Sequence, residues 1–103
     1  MGRHPVGATQ DFEPQKVRVL RAGGERICVV LHEGKFYAFE DRCTHDDGPL
    51  GGGPLEGCQI ECPRHGARFD IRTGRVTAPP AFTPIEIYQT EVTDDQVYVE
   101  IPD

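Results

Sequence analysis

No stretch of this sequence stays apolar over the ~20 residues that a membrane-crossing helix requires. The start, Met1-Gly2-Arg3-His4-Pro5, runs into polar residues, so neither a signal peptide nor an anchor is expected, and a cytoplasmic location is. Positive charge is scarce as well. Eleven Lys and Arg stand against 17 Asp and Glu, a formal net charge of −6. That balance argues against nucleic acid or anionic lipid as the main partner, and it suits a docking partner with a basic patch. A helical period, an internal repeat and low-complexity tracts are all missing. Length is short too: 103 residues allow one domain, spanning 1–103, and a monomer is expected.

What the chain has in quantity is Gly (12) and Pro (9), which call for many turns and little helix. Between the turns, strand patterns recur. Lys16-Val17-Arg18-Val19-Leu20 alternates, and Arg26 to Leu31 is apolar and β-branched. His32-Glu33-Gly34-Lys35 then turns into Phe36-Tyr37-Ala38-Phe39 as a hairpin. Regular structure stops between Asp41 and Pro54, where Gly48-Pro49 and Gly51-Gly52-Gly53-Pro54 forbid it, and resumes at Cys58–Cys62 with Cys58, Ile60 and Cys62 on one face. Phe69-Asp70-Ile71 and Val76 flank a turn at Arg72–Arg75, and Ala78-Pro79-Pro80-Ala81 is a loop. Pro84–Val92 and Gln96–Ile101 form a closing hairpin turned at Thr93-Asp94-Asp95, while residues 1–15 are expected to be a frayed arm. The fold class is all-β, an antiparallel sandwich or barrel with an inserted loop region.

Four cysteines, at 28, 43, 58 and 62, are tested first as metal ligands rather than as disulfides. Two of them sit beside histidines, in Cys43-Thr44-His45 and Cys62-Pro63-Arg64-His65. Each motif places a thiolate and an imidazole on a bent, Gly- and Pro-rich segment, so two loops can send four ligands to one centre. Zinc accepts a Cys₂His₂ set, but finger-type spacing groups Cys with Cys and His with His. A 2Fe–2S centre with Cys₂ on one iron and His₂ on the other suits mixed motifs better. A zinc-stabilised interaction module remains the alternative, and colour separates the two.

Taken with Gly48-Pro49-Leu50, Gly66, Phe69-Asp70 and Thr73-Gly74, these motifs resemble the Rieske signature, and the likeness runs from about Val17 to Ile101. The resemblance implies a base of about 16–41 and 67–101, a loop-rich cluster-binding subdomain of about 42–66, and one 2Fe–2S cluster. Cys43 and Cys62 would hold the inner iron, and His45 and His65 the outer one. Two ferric ions, two sulfides and two thiolates sum to zero, so reduction leaves one negative charge for a partner to sense.

The departures from the family pattern narrow the type. Rieske proteins of cytochrome bc complexes carry an extra Cys beside each motif, joined as a disulfide; here Asp46-Asp47 and Arg64 stand in those surroundings. Their Ser and Tyr hydroxyl donors correspond to Ala67 and Phe69, so the potential is expected toward the low end of the range of about −150 to +300 mV. A catalytic oxygenase subunit would need a second domain with a 2-His-1-carboxylate iron site. The resemblance therefore implies an electron carrier, not an enzyme. It would take one electron from a flavin-type ferredoxin reductase to an oxygenase or another redox acceptor. Iron–sulfur assembly proteins are further candidate partners, and a small subunit of a nitrite-reductase-like enzyme is the remaining alternative.

The other residues have plainer readings. Cys28 is a buried thiol and Cys58 packs beneath the motif region. His4 and His32 are an arm residue and a turn residue. Pro79-Pro80 falls where the family has a proline loop covering one side of the cluster. Gly51-Gly52-Gly53 lacks the Lys and Ser/Thr of a phosphate loop. For each of Asp46, Asp47 and Arg64, simple solvent exposure is the default expectation, against a part in tuning the potential or meeting a partner.

Overall fold

A computed structural model describes residues 2–102, arranged as eleven strands in three sheets. Every ladder between strands is antiparallel, as the sequence reading anticipates. The strands are β1 (Gly2–Ala8), β2 (Arg18–Ala22), β3 (Glu25–His32), β4 (Lys35–Glu40), β5 (Leu55–Glu56), β6 (Gln59–Glu61), β7 (Arg68–Asp70), β8 (Val76–Ala78), β9 (Ile87–Tyr88), β10 (Thr90–Thr93) and β11 (Gln96–Ile101). Among the described residues, helix is confined to one 3₁₀ turn, Thr9–Asp11. Among the described residues, no helix is long and apolar enough to cross a membrane.

The sheet β2-β3-β4-β9 lies in the middle, and its sequence explains why. Ile27-Cys28-Val29-Val30 is apolar at every position, and all four residues are fully buried, so both faces of β3 are covered. Cys28, Val30 and Phe39 point to one side and join Ile60, Phe69, Ile71, Leu50, Cys43 and Cys62 in a single core. Ile27, Val29 and Ala38 point to the other side and meet Val97, Val99 and Ile101 of the sheet β1-β11-β10. The third sheet, β5-β6-β7-β8, therefore rests on the same core that surrounds the two cysteines of the motifs. The β3–β4 hairpin turns on Glu33 and Gly34, both with positive φ (49° and 80°), as the Glu-Gly pair leads one to expect.

Several expectations need correction. Residues 2–8 are not a frayed arm. They form β1, paired with β11 from Gly2↔Ile101 to Ala8↔Gln96. Only Val6 is a large apolar residue there, so the strand is specified by its partner rather than by its own pattern. β7 pairs with β6, through Ile60↔Phe69, and β8 pairs with β7. Pro84–Val92 is not one strand. β9 pairs with β4 and β10 with β11, so the chain changes sheet at Gln89. His32 is not a turn residue. It ends β3, is 92% shielded, and its Nδ1 meets the Gln15 side chain.

Candidate metal centre

Both motifs sit in turns of the same construction. The backbone N–H of Cys43 donates to the Gly48 carbonyl at 2.7 Å, and the Cys43 carbonyl accepts from Asp47 N–H at 2.7 Å. In the second motif, Cys62 N–H donates to Ala67 at 2.7 Å and the Cys62 carbonyl accepts from Gly66 N–H at 3.0 Å. The bonding offsets are identical, and the residue four places after each Cys has positive φ, 61° at Asp47 and 79° at Gly66. Gly meets that requirement without strain, and Asp is among the side chains that tolerate it. The loops differ in where the imidazole comes, two residues after Cys43 but three after Cys62.

The four predicted site residues separate by depth. Cys43 and Cys62 are fully buried, whereas His45 and His65 are exposed. The two sulfurs and a carboxylate oxygen of Asp46 all lie within 4.8 Å of one another. The two imidazoles meet edge to face, with ring centroids 5.1 Å apart. Asp46 Oδ2 connects the two pairs, lying 3.2 Å from His65 Nδ1. Burial pushes the Cys43 thiol up, opposed by the backbone N–H groups of His45 and Asp46 and reinforced by the neighbouring Cys62. Thiol pairs packed this closely in a dry site are what a metal centre with thiolate ligands relieves, because its positive charge removes both protons.

The remaining cysteines have the places read for them. All four are free thiols; Cys28 is buried and Cys58 packs at the edge of the same core. Burial first, then the Asp41 charge, holds the Cys28 thiol well above its ordinary range. Ala67 and Phe69 are fully buried, so the second loop presents methyl and phenyl where hydroxyl donors would otherwise stand.

One residue escapes the sequence reading: Asp41. Its side chain is 2% exposed, and its Oδ1 accepts the N–H groups of Leu50 and Gly51, both at 2.8 Å. Oδ2 accepts from Arg26 at 2.9 Å, and the Cys28 sulfur lies 3.5 Å from Oδ1. Burial would raise its pKa, but the Gly51, Arg26 and Leu50 hydrogen bonds prevail and hold the carboxyl below its ordinary range. Asp41 thus ties β4 to the far end of the first ligand loop. Nothing in its local sequence marks it; the only hint is an acid directly after a strand and ahead of a Gly-rich loop.

On the exposed side, Thr44 Oγ1 donates to the Thr83 carbonyl, fastening the loop after β8 to the first motif. That loop carries Phe82, which is 90% exposed, between the buried anchors Ala81 and Ile85.

Known proteins resemble this chain over most of its length. The family described as Rieske [2Fe-2S] domain matches residues 2–89. Ferredoxin CarAc of Metapseudomonas resinovorans is 39% identical over 95 residues, covering 91% of this chain and 89% of that protein. The ferredoxin component of biphenyl 2,3-dioxygenase from Rhodococcus jostii (strain RHA1) is 35% identical over 96 residues, covering 93% and 90%. Among solved structures, a Sphingomonas yanoikuyae B1 ferredoxin superposes with a TM-score of 0.90 at 26% identity, covering 98% of this chain and all of that one. A chain in the complex of reduced oxygenase and oxidised ferredoxin of carbazole 1,9a-dioxygenase gives 0.88 at 37% identity, covering 93% and 99%.

Proposed function

This chain belongs to the Rieske 2Fe–2S family and is a ferredoxin-type electron carrier, and from that premise we propose that Cys43, His45, Cys62 and His65 are the ligands of its cluster. The observation that carries the assignment is the separation by depth: two buried thiols behind two exposed imidazoles, on loops of matching construction. When bound, such a cluster accepts and releases one electron. The residues around it have distinct tasks. Cys43 and Cys62 bind in a site kept dry by Leu50, Ile60 and Phe69. His45 and His65 form the short path to the surface. We assign the sheet β5-β6-β7-β8 and the first ligand loop to cluster binding, and the two other sheets to the supporting base.

The electron goes to an oxygenase, a reading that the names of the relatives support, and it comes from a flavin-type ferredoxin reductase. The carrier acts as a cytoplasmic monomer. Its net charge of −6 favours partners with basic docking surfaces, so transfer slows as ionic strength rises. Iron–sulfur assembly proteins are needed only to load the site.

The test is single-turnover transfer, by stopped flow, from the reduced protein to a ring-hydroxylating dioxygenase of the kind its relatives serve. Saturable oxidation of the carrier is expected; no transfer at any concentration rejects the oxygenase as acceptor. Phe82 supplies a sharper version. An exposed aromatic on the loop that Thr44 fastens to the first motif is a natural anchor for a partner. Phe82→Ala is expected to raise the half-saturating partner concentration roughly tenfold, for about 1.4 kcal/mol of lost contact, with an unchanged reduction potential. An unchanged half-saturation removes Phe82 from the docking surface.

A further inference from the structure

The two ligand loops share a turn, but they differ in the residue at its corner. Four places after its cysteine, the second loop has Gly66 at φ 79° and the first has Asp47 at φ 61°. That left-handed conformation costs glycine little, whereas in other residues it brings Cβ close to the following carbonyl oxygen. Asp47 cannot leave it without opening the turn. Its N–H donates to the Cys43 carbonyl at 2.7 Å, and Cys43 N–H donates to the Gly48 carbonyl at 2.7 Å. The first loop therefore needs a hold on its corner that the second does not.

Arg42 supplies that hold. Its Nη1 donates to Asp47 Oδ1 at 2.6 Å and its Nε to Glu40 Oε1 at 2.8 Å, so one planar guanidinium spans two carboxylates. The far carboxylate is itself fixed. Glu40 is 15% exposed, its Oε2 accepts Glu86 N–H at 2.6 Å, and its own N–H donates to the Glu86 carbonyl at 3.0 Å. Glu40 ends β4, so the arch runs from the middle sheet through Arg42 to the corner of the ligand loop. The adjacent Asp41 holds the same loop at its other end, through Leu50 and Gly51. Asp47 and Arg42 are 74% and 49% exposed, so their contact lies at the surface rather than among the buried thiols.

We propose that Arg42 is a positioning residue: it holds Asp47 in the left-handed conformation, so that a loop with no glycine at that corner presents Cys43 and His45 in a stable turn. The inference rests on the ligand assignment above. It makes the need for Arg42 conditional. Once Asp47→Gly removes the Cβ, the corner is at ease on its own and the arch becomes dispensable.

The experiment uses cluster-loaded protein and four variants: Arg42→Gln, Asp47→Gly, Asp47→Ala and the double variant Arg42→Gln/Asp47→Gly. Two quantities are read, the rate at which visible absorbance is lost on incubation and the melting temperature. Arg42→Gln should lose its cluster about fivefold faster than wild type, the upper end for a partly exposed ion pair. Asp47→Ala should lose it at least as fast, because it gives up the pair and keeps the Cβ. Asp47→Gly gives up the pair but relieves the corner, so it should stay within about twofold of wild type. Both changes at position 47 remove the same charge, so a difference between them reads the backbone and not the field. The decisive comparison is the double variant. Adding Arg42→Gln to Asp47→Gly should change the rate by less than about twofold, because the two changes act on one contact. Melting temperatures should fall in the same order as the loss rates rise. Equal effects of Arg42→Gln on both backgrounds overturn the proposal, as do Asp47→Gly and Asp47→Ala proteins that behave alike, or an Arg42→Gln protein that matches wild type. Iron and sulfide counts on the wild type separate the two readings. Fewer than two of each overturns the ligand assignment, and the order of melting temperatures still decides whether Arg42 holds the corner. A fully loaded wild type with equal Arg42→Gln effects on both backgrounds overturns the role of Arg42 alone.

Discussion

Gly53→Ala is expected to lower the melting temperature by roughly 10–20 °C and to yield protein depleted of its cluster, while Gly52→Ala leaves both unchanged. The contrast follows from what a methyl group meets. At Gly53 it would come 1.8 Å from the Glu61 carbonyl oxygen, a backbone atom that cannot rotate away. At Gly52 there is nothing within 4 Å. The crowded carbonyl is not free to retreat, because Glu61 N–H is itself bonded to the Pro54 carbonyl at 3.0 Å and the next residue is Cys62. Relief requires the first ligand loop to move off β6, which separates Cys43 from Cys62. Overpacking of this kind costs about 2–3 kcal/mol, and at roughly 4–8 °C per kcal/mol for a domain of this size the expected shift follows. Thermal unfolding by far-UV circular dichroism and iron content of the purified variants are the measurements. A Gly53→Ala protein that melts with the wild type and keeps its iron would refute the close approach.

Asp41→Ala is the second large effect, at about 2–4 kcal/mol. It leaves the Leu50 and Gly51 N–H groups without an acceptor in the interior and Arg26 without its counter-ion. Asp41→Asn keeps the shape and one acceptor, so a smaller loss is expected, and it carries a pH signature. The folded-state pKa of Asp41 lies below its ordinary value near 3.9. An acid whose folded pKa is depressed contributes stability above its unfolded pKa and loses it as pH falls through the folded one. The gap in stability between wild type and Asp41→Asn should therefore be constant from pH 8 to about 5 and narrow below about pH 4. Melting curves of both proteins over that range test it; a gap that widens toward acid would reverse the sign of the coupling.

How much of this was legible in the sequence depends on how local the cause is. The β3–β4 hairpin announces itself through Glu33-Gly34, and the unbroken run Ile27–Val30 tells of a strand covered on both faces. The two Cys/His motifs stand out because one mixed pair repeats within a short distance, and the structure brings thiol to thiol and imidazole to imidazole. What stayed hidden is set by partners far along the chain. β1 has no pattern of its own and exists through its ladder with β11. The change of sheet at Gln89 depends on which strands flank it. Leu55–Glu56 is a two-residue strand, too short for alternation to show, turned back at Gly57 with φ of 58°. Asp46 and Asp41 look alike in sequence, acids beside a motif, and solvent exposure was the default expectation for the first. Burial distinguishes them from ordinary surface acids, and burial is a property of the fold.

The most direct test of the account is electron paramagnetic resonance of the dithionite-reduced protein, purified anaerobically, with iron and acid-labile sulfide counted on the same sample. A rhombic signal with an average g below the free-electron value, with two irons and two sulfides per chain, is what ligation by Cys43, His45, Cys62 and His65 predicts. A colourless, silent protein holding one zinc would contradict it.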